Sequence, residues 1–300
     1  MPRVLLCVTV LSSWAIVEVP AGAQPALAQP VGMSEPAPAP GFTVIDRIDG
    51  QSSLGFETSY LEPHIEDGVM ANKPTVLRFA AHFRYVDPGS GIGGYAQLPF
   101  AYGSESSGTD SITITDVGSL ELGGVYAPKL SVPGLGIILH AGLALPTGEP
   151  RNEFVLGTAA SSAALPELYN ALPRALTGKL GVSAVLHRDK VFARLDLGVD
   201  DNFSNNADGN GDVHVSIARA YHVNAGVGID LGAAALMLES ANVVLGAENG
   251  QGGATLSDLA VAVRFAGRVA SPYVAVVVPI EDDISGVIDF AITAGVDFKL

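Results

Sequence analysis

The last thirteen residues of the chain alternate between apolar and polar side chains up to the final position. Every second position is apolar: Ile288, Phe290, Ile292, Ala294, Val296, Phe298 and Leu300. Between them lie Asp289, Thr293, Asp297 and Lys299. A period of two with charge on the second face predicts a strand that is apolar on one side and wet on the other. This is the pattern of a closing strand in a transmembrane β-barrel.

Composition agrees with an all-β membrane protein. Charged residues make up only 16% of the 300 residues and the mean hydropathy is +0.35, yet no apolar run after Val19 is long enough for a membrane-spanning helix. The net charge of −15 and the scattering of the 16 basic residues argue against a nucleic-acid partner.

The N-terminus has the features of an export signal. Arg3 precedes an apolar stretch, and two small-residue cleavage motifs follow it, one ending at Ala23 and the other at Ala28. We therefore expect a signal peptide over 1–23, with cleavage alternatively after 28. Cys7 would leave with it, so a mature chain would contain no thiol. The segment 24–50 is rich in Pro and Ala and is predicted to be a leader exposed in the periplasm, followed by the barrel over 51–300.

Twelve strands are predicted in the barrel region. They lie near 52–61, 75–87, 93–103, 117–128, 134–146, 175–187, 190–200, 217–231, 234–245, 256–268, 272–280 and 287–299. Their connections alternate between long and short, and turn formers such as Asp87–Ser90 and Ala270–Pro272 fill the short ones. We therefore predict an all-β, transmembrane antiparallel β-barrel of about 12 strands, with short periplasmic turns and long outer loops.

Polar residues on the inner face of these strands are the candidate lumen and selectivity residues: Arg78, His82, Arg84, Glu121, His140, Lys179, Arg194, Asp196, His222, Asp230, Asp258, Arg264, Arg268 and Asp289. These positive and negative side chains either create an electrostatic field of mixed sign in an open pore, or they pair across neighbouring strands and fill a narrow interior. The ninth strand, 234–245, does not resolve into two faces. Interfacial aromatic residues are predicted at one rim for Tyr85, Tyr126, Tyr273 and Phe298, and at the other for Tyr60, Tyr102 and Tyr221.

Enzymatic and metal-binding alternatives have weaker signals. Adjacent carboxylates such as Asp200 and Asp201 point to opposite faces of a strand, which makes a poor catalytic dyad even with His214 or His222 nearby. The spacing of Asp208, Asn210 and Asp212 begins like a calcium loop, but Val213 and Arg219 occupy positions that need Gly and Glu. We predict no enzyme activity and no cofactor, with this loop as a weak calcium candidate.

Two adjacent segments carry a family resemblance. The run from Asp116 to Tyr126 is followed by Leu139 to Gly148, which ends in Leu-Pro-Thr-Gly. They resemble paired strands of the outer-membrane barrels associated with phenol-degradation meta-pathway operons. The resemblance implies a transporter or channel in the bacterial outer membrane for small solutes, including hydrophobic or aromatic ones. The long connection 149–173 either folds into the barrel mouth or lies on the outer surface.

The C-terminus also resembles the signal that outer-membrane barrels present for assembly, carried here by Phe298 and Leu300, with Leu in place of the usual terminal aromatic residue. Expected partners are outer-membrane lipid and lipopolysaccharide, the barrel-assembly machinery and a small-molecule solute. A passive channel is the first hypothesis. The alternatives are a non-conducting barrel with a structural or surface-interaction role, in which lumen charges pair off completely, and, less favoured, a barrel hydrolase.

Overall fold

A computed structural model describes residues 41–45, 48–63, 75–107, 110–147, 160, 163–171, 176–203, 219–246, 254–281 and 288–300, all within one compact unit. For 105–107 and 110–112 only the backbone is described. The predicted signal and the leader up to residue 40 lie outside the described residues. None of the helices in the described part is long and apolar enough to cross a membrane.

Thirteen strands and one 3-10 helix make up the described structure. The strands are β1 Ser53–Pro63, β2 Thr75–Val86, β3 Ile92–Ser107, β4 Asp110–Val117, β5 Leu120–Tyr126, β6 Leu135–Leu145, β7 Thr177–Arg188, β8 Val191–Asn202, β9 Arg219–Asp230, β10 Ala234–Leu245, β11 Thr255–Phe265, β12 Ala270–Pro279 and β13 Ile288–Lys299. The helix is Leu165–Ala171.

The strands form a closed antiparallel barrel. β1 pairs with both β2 and β13, so the first and last strands seal the wall. β4 and β5 both pair with β3 and together make one wall strand, interrupted at Gly118 and Ser119. The barrel therefore has twelve wall strands, and the predicted fold class is confirmed.

Most strand boundaries agree with the prediction, with two corrections. The fourth wall strand begins at Asp110 rather than near 117, because β3 and β4 extend as a long hairpin beyond the rest of the wall. The turn before β12 lies at 266–269, whereas we predicted it at Ala270–Pro272. Pro272 instead faces outward within β12.

The two faces of the wall alternate as the sequence predicts. Along β2, Arg78, His82 and Arg84 are buried inside the barrel, whereas Phe83 and Tyr85 are exposed on its outer surface. Tyr126 is exposed near the same end as Tyr85. Tyr60 and Tyr221 are exposed toward the other end. An apolar outer face with tyrosines near both rims is typical of a membrane barrel.

One predicted girdle residue and one predicted face are wrong. Tyr273 lies inside the barrel and is only 4% exposed. On β13 the alternation breaks, because the pairing with β1 shifts register between Glu62 and Pro63. This bulge buries Ile288 and leaves Asp289 exposed, although uninterrupted alternation would place them on the opposite faces.

Inward-facing glycines create room for large side chains in the lumen. A methyl group at Gly181 would lie 1.8 Å from His140 Nε2, and one at Gly228 would lie 2.2 Å from the Phe192 ring. The glycine content of the wall therefore reflects a filled interior, since an empty lumen would not require these close approaches.

Candidate functional site: a filled barrel lumen

Residues 41–45 and 48–50 of an N-terminal segment lie inside the barrel, and we call these residues the plug segment. Phe42, Val44 and Ile45 are each less than 5% exposed, and Ile48 is also buried. The sequence predicts a periplasmic leader over 24–50, whereas residues 42–45 and 48 are buried inside the barrel. Its apolar side chains favour burial against apolar wall residues over exposure to water.

Glu239 of β10 anchors the plug segment through backbone donors. Its carboxylate accepts the N–H groups of Thr43 at 3.0 Å, Val44 at 2.8 Å and Ile45 at 3.0 Å, and it also accepts the Thr43 hydroxyl. Glu239 is 1% exposed. Three consecutive amides that converge on one carboxylate satisfy a buried charge without a cation.

Arginine side chains of the wall hold the plug segment at further points. Arg194 donates to the carbonyl oxygen of Ile48 at 3.0 Å. Arg84 lies 2.8 Å from Asp49, and it also donates to the carbonyl oxygen of Gln51, the residue that follows the plug segment. All these contacts are noncovalent, so the plug segment can in principle be displaced without breaking the wall.

The 3-10 helix lies within the barrel mouth, where Leu165 and Tyr169 are fully buried. It packs against β3, β10 and β11. Of the two placements open for the connection 149–173, the part described here therefore enters the mouth. Burial raises the pKa of Tyr169, so its phenol stays protonated across the physiological range.

Arg78 joins the helix to the wall. Its guanidinium is fully buried and pairs with Glu57 of β1 at 2.6 Å and with Glu167 of the helix. Glu57 in turn accepts the hydroxyl of Tyr273 at 2.7 Å. This network ties β1, β2, β12 and the helix together. Of its four members, only Arg78 is a predicted lumen residue, and the two acids are not among the candidates from the sequence.

A cavity of about 60 Å³ lies between the plug segment, the helix and one side of the wall. We call its charged side the polar wall, defined by Glu121, His140, Lys179, Asp196, Asp200 and His222. Lys179 lies 3.0 Å from Glu121 and 3.6 Å from Asp200, and His222 Nε2 lies 3.1 Å from Asp200. The polar wall is thus an ion-paired surface around a space for a few water molecules.

Two further clusters complete the charged interior. Arg194 pairs with Asp196 at 2.7 Å and donates to the Ser183 hydroxyl at 2.9 Å. Asp297 Oδ1 lies 2.7 Å from His82 Nε2, and the same carboxylate pairs with Arg264. The Arg264 guanidinium lies 4.6 Å from the centre of the Tyr273 ring. The stacked guanidinium gains a cation–π contact in addition to its ion pair.

The opposite side of the lumen is lined by small and apolar side chains. We call it the apolar wall, defined by Ala235, Met237, Ala241, Val243, Ala260, Ala262, Ala275 and Val277. Phe42 and Ile45 of the plug segment belong to the same buried cluster. This explains why strand 234–245 resisted a face assignment, since both of its faces carry apolar residues.

Asp258 stands beside the apolar wall on β11. It is 0% exposed, and neither of its carboxylate oxygens makes a hydrogen bond with the residues that the structure describes. Its position is diagonal to Glu239, because Glu239 pairs with Ala260 and Ala241 pairs with Asp258 across the two strands. Both side chains face inward, so two carboxylates share one patch of the lumen.

Twelve of the fourteen predicted lumen residues lie on the inward face, and two do not. Arg268 is exposed in the turn 266–269, and Asp289 is exposed at the bulge. Asp230 lies on the inward face at the end of β9, opposite Ala235, where it accepts the N–H of Gly232. Four inward acids are absent from the candidate lumen residues: Glu57, Glu167, Glu239 and Asp297, of which Asp297 alone lies on a face that the alternation marks as wet. Glu239 and Glu57 stand singly among apolar or small neighbours, and only the strand period could have indicated their direction.

Other predicted sites are placed as follows. Asp200 faces the lumen, whereas Asp201 faces outward and pairs with Arg219 at 2.5 Å, so the two carboxylates cannot act as a dyad. The calcium candidates Asp208, Asn210 and Asp212, and His214, lie outside the described residues. Among the described residues, no group of three or more His, Cys, Asp or Glu side chains is arranged to hold a metal ion.

Comparison with solved structures places the fold. An outer-membrane channel from Pseudomonas putida F1 superposes with a TM-score of 0.53 at 14% identity, covering 83% of this chain and 96% of that one. The chain has the fold of an outer-membrane β-barrel. No protein-family model and no curated protein matches the sequence.

Weaker likenesses extend to other barrels. OccAB1 from Acinetobacter baumannii gives a TM-score of 0.38 at 8% identity, with 83% of this chain and 96% of that chain covered. Outer-membrane phospholipase A from Escherichia coli gives 0.39 at 10% identity, with 83% and 92% covered. At these scores the similarity does not distinguish one barrel function from another.

Proposed function

We propose that the protein is a plugged channel of the bacterial outer membrane that passes small solutes, hydrophobic or aromatic ones included, when the plug segment leaves the lumen. The observation that carries the proposal is the mode of attachment. The plug segment is held by hydrogen bonds and ion pairs from Glu239, Arg84 and Arg194, all of which can exchange for water. A similar fold in a protein described as an outer-membrane channel supports the proposal.

A non-conducting barrel is the second candidate. It is favoured by the pairing of Arg78, Lys179, Arg194 and Arg264 with inward carboxylates, which fills the lumen as a packed core would. A channel and a packed barrel should differ in ion conductance when the contacts of the plug segment alone are weakened. The channel should then conduct more often. The packed barrel should remain closed, because the helix and the paired side chains still fill it.

Proline at position 44 provides the test. Val44→Pro removes the N–H that donates to Glu239, whereas Val44→Ala keeps it and serves as the matched control. A hydrogen bond to a charged group contributes roughly 1.5–3 kcal/mol, so we expect Val44→Pro to raise the open population by roughly ten- to a hundredfold.

The chain from Gln24 would be refolded in detergent, checked by heat-modifiable gel mobility and recorded in a planar bilayer. Discrete conductance steps that become much more frequent in Val44→Pro than in Val44→Ala would support the channel. A Val44→Pro protein that folds and remains silent would overturn the channel and favour the non-conducting barrel.

A further inference from the structure

Resting on the proposed function, we infer that the open lumen selects organic cations with an apolar body, such as protonated aromatic amines, through Glu239 and Asp258. The plug segment shows which chemistry the lumen accepts. It presents N–H donors to Glu239 while its apolar side chains pack on the apolar wall. A solute that replaces it therefore needs a donor group next to an apolar surface.

Asp258 supplies an independent observation. It is fully buried beside the apolar wall, and no described residue donates a hydrogen bond or pairs with it. A carboxyl group without a partner in an apolar setting is stable in its neutral form, and a cation that reaches it supplies the partner that the ionised form needs. Because Asp258 is diagonal to Glu239, one ammonium group can pass between the two carboxylates along neighbouring strands.

The charge balance of the wall favours cations as well. Among the described strand residues, inward-facing carboxylates outnumber inward-facing Lys and Arg side chains. The carboxylates are Glu57, Asp116, Glu121, Asp196, Asp200, Asp230, Glu239, Asp258 and Asp297, and the basic residues are Arg78, Arg84, Lys179, Arg194 and Arg264. The surplus includes Glu239 and Asp258, since four of the basic side chains pair with other carboxylates of the wall or helix, and Arg84 pairs with Asp49 of the plug segment.

The site excludes anions for the same reason. Loss of the plug segment uncovers Glu239, which would repel a carboxylate or phosphate on a solute, and Asp258 offers such a group no positive partner. An uncharged aromatic solute would still contact the apolar wall but would leave both carboxylates unpaired. The expected order of preference is therefore protonated amine, then neutral analogue, then anion.

Selectivity can be measured with Val44→Pro as the open background, because that substitution leaves both carboxylates intact. Reversal potentials in a gradient of benzylammonium chloride should show a preference for the cation over chloride of roughly tenfold. Adding Glu239→Gln or Asp258→Asn should reduce this ratio several-fold. Asp201→Asn, which removes an outward-facing carboxylate, is the matched control and should leave the ratio unchanged.

Binding in detergent separates the failure of this inference from the failure of the channel. Calorimetric titration of the folded Val44→Pro protein should show benzylammonium binding at least tenfold more tightly than benzyl alcohol, with the difference lost in Val44→Pro/Asp258→Asn. Conductance without cation preference, or equal binding of the amine and the alcohol, would overturn the inference and leave the channel standing. A silent bilayer with selective binding would overturn the channel only.

Discussion

The backbone N–H of Val44 donates a 2.8 Å hydrogen bond to Oε2 of Glu239, a residue 195 positions further along the chain. Thr43 and Ile45 donate to the same carboxylate. Because the donors are backbone groups, any sequence of suitable shape could make these bonds, and the side chains on either side determine which segment fits. The lumen is therefore filled through a contact that exists only in the folded chain.

Hydrogen exchange should report this contact directly. Amides of Thr43, Val44 and Ile45 should exchange slowly in the refolded protein and much faster in Glu239→Gln, because the neutral amide is a weaker acceptor and presents only one oxygen. Mass spectrometry of the peptide that covers 41–45 would measure the rates. Equal protection in both proteins would show that Glu239 does not hold the segment, and Asp201→Asn controls for loss of a carboxylate elsewhere.

Space at Gly226 should determine how well the plug segment fits. A methyl group there would lie 2.4 Å from the Phe42 ring and 3.0 Å from Ile45, so Gly226→Ala should displace the segment and raise the frequency of conductance steps. Gly124→Ala is the matched control, because Gly124 faces outward and its nearest neighbouring atom would be 3.8 Å away. A Gly226→Ala protein with the wild-type open frequency would contradict this account of closure.

Loss of the Arg78 charge should destabilise the barrel strongly. Arg78→Met leaves Glu57 and Glu167 buried without their cation, which costs roughly 3–5 kcal/mol, and adding Glu57→Gln should restore part of it. Urea unfolding followed by gel mobility would measure the change. Arg219→Met removes an exposed ion pair and should cost no more than about 1 kcal/mol, so similar losses in both variants would contradict the role of burial.

The turn between β2 and β3 should show a pH dependence of its own. Hydrogen bonds from the Ser90 hydroxyl and backbone N–H lower the pKa of Asp87 below its ordinary value of 3.8. A lowered folded-state pKa stabilises the fold above the unfolded value, and this contribution is lost as the pH falls through the folded value. Asp87→Asn should therefore unfold earlier than wild type in urea at pH 7, with the difference shrinking below pH 3.8. A difference that grows in acid would contradict this assignment.

Strand number, most of the alternation of short and long connections, and the direction of most lumen side chains could be predicted from the sequence. Each depends on a local rule: period-two alternation, or turn formers between strands. The connection after β3 is an exception, since it is predicted to be long and β4 begins three residues after β3 ends. Asp289 shows where the rule stops, because a single bulge opposite Glu62 and Pro63 exchanges the faces of Ile288 and Asp289. Nothing in the residues around 288 marks the register shift.

Only part of the candidate site could be predicted from the sequence, because the strand pattern marks charged residues and does not mark their partners. Lys179, Glu121 and His222 stood out as charges on an inward face, and the structure brings them around one cavity. Glu239 gave no such signal, since its neighbours Met237 and Ala241 are apolar and its partners are backbone amides. Its role depends on a segment that composition alone assigned to the periplasm.

The sequence by itself determined that the chain forms a twelve-strand barrel with an apolar outer surface, because side-chain alternation is fixed by strand geometry wherever one face meets an apolar environment. Only the tertiary structure decided that the lumen is filled. The lumen is filled by contacts between residues far apart in the chain, such as Val44 with Glu239 and Arg78 with Glu167. These contacts form only when the strands have come together as a barrel.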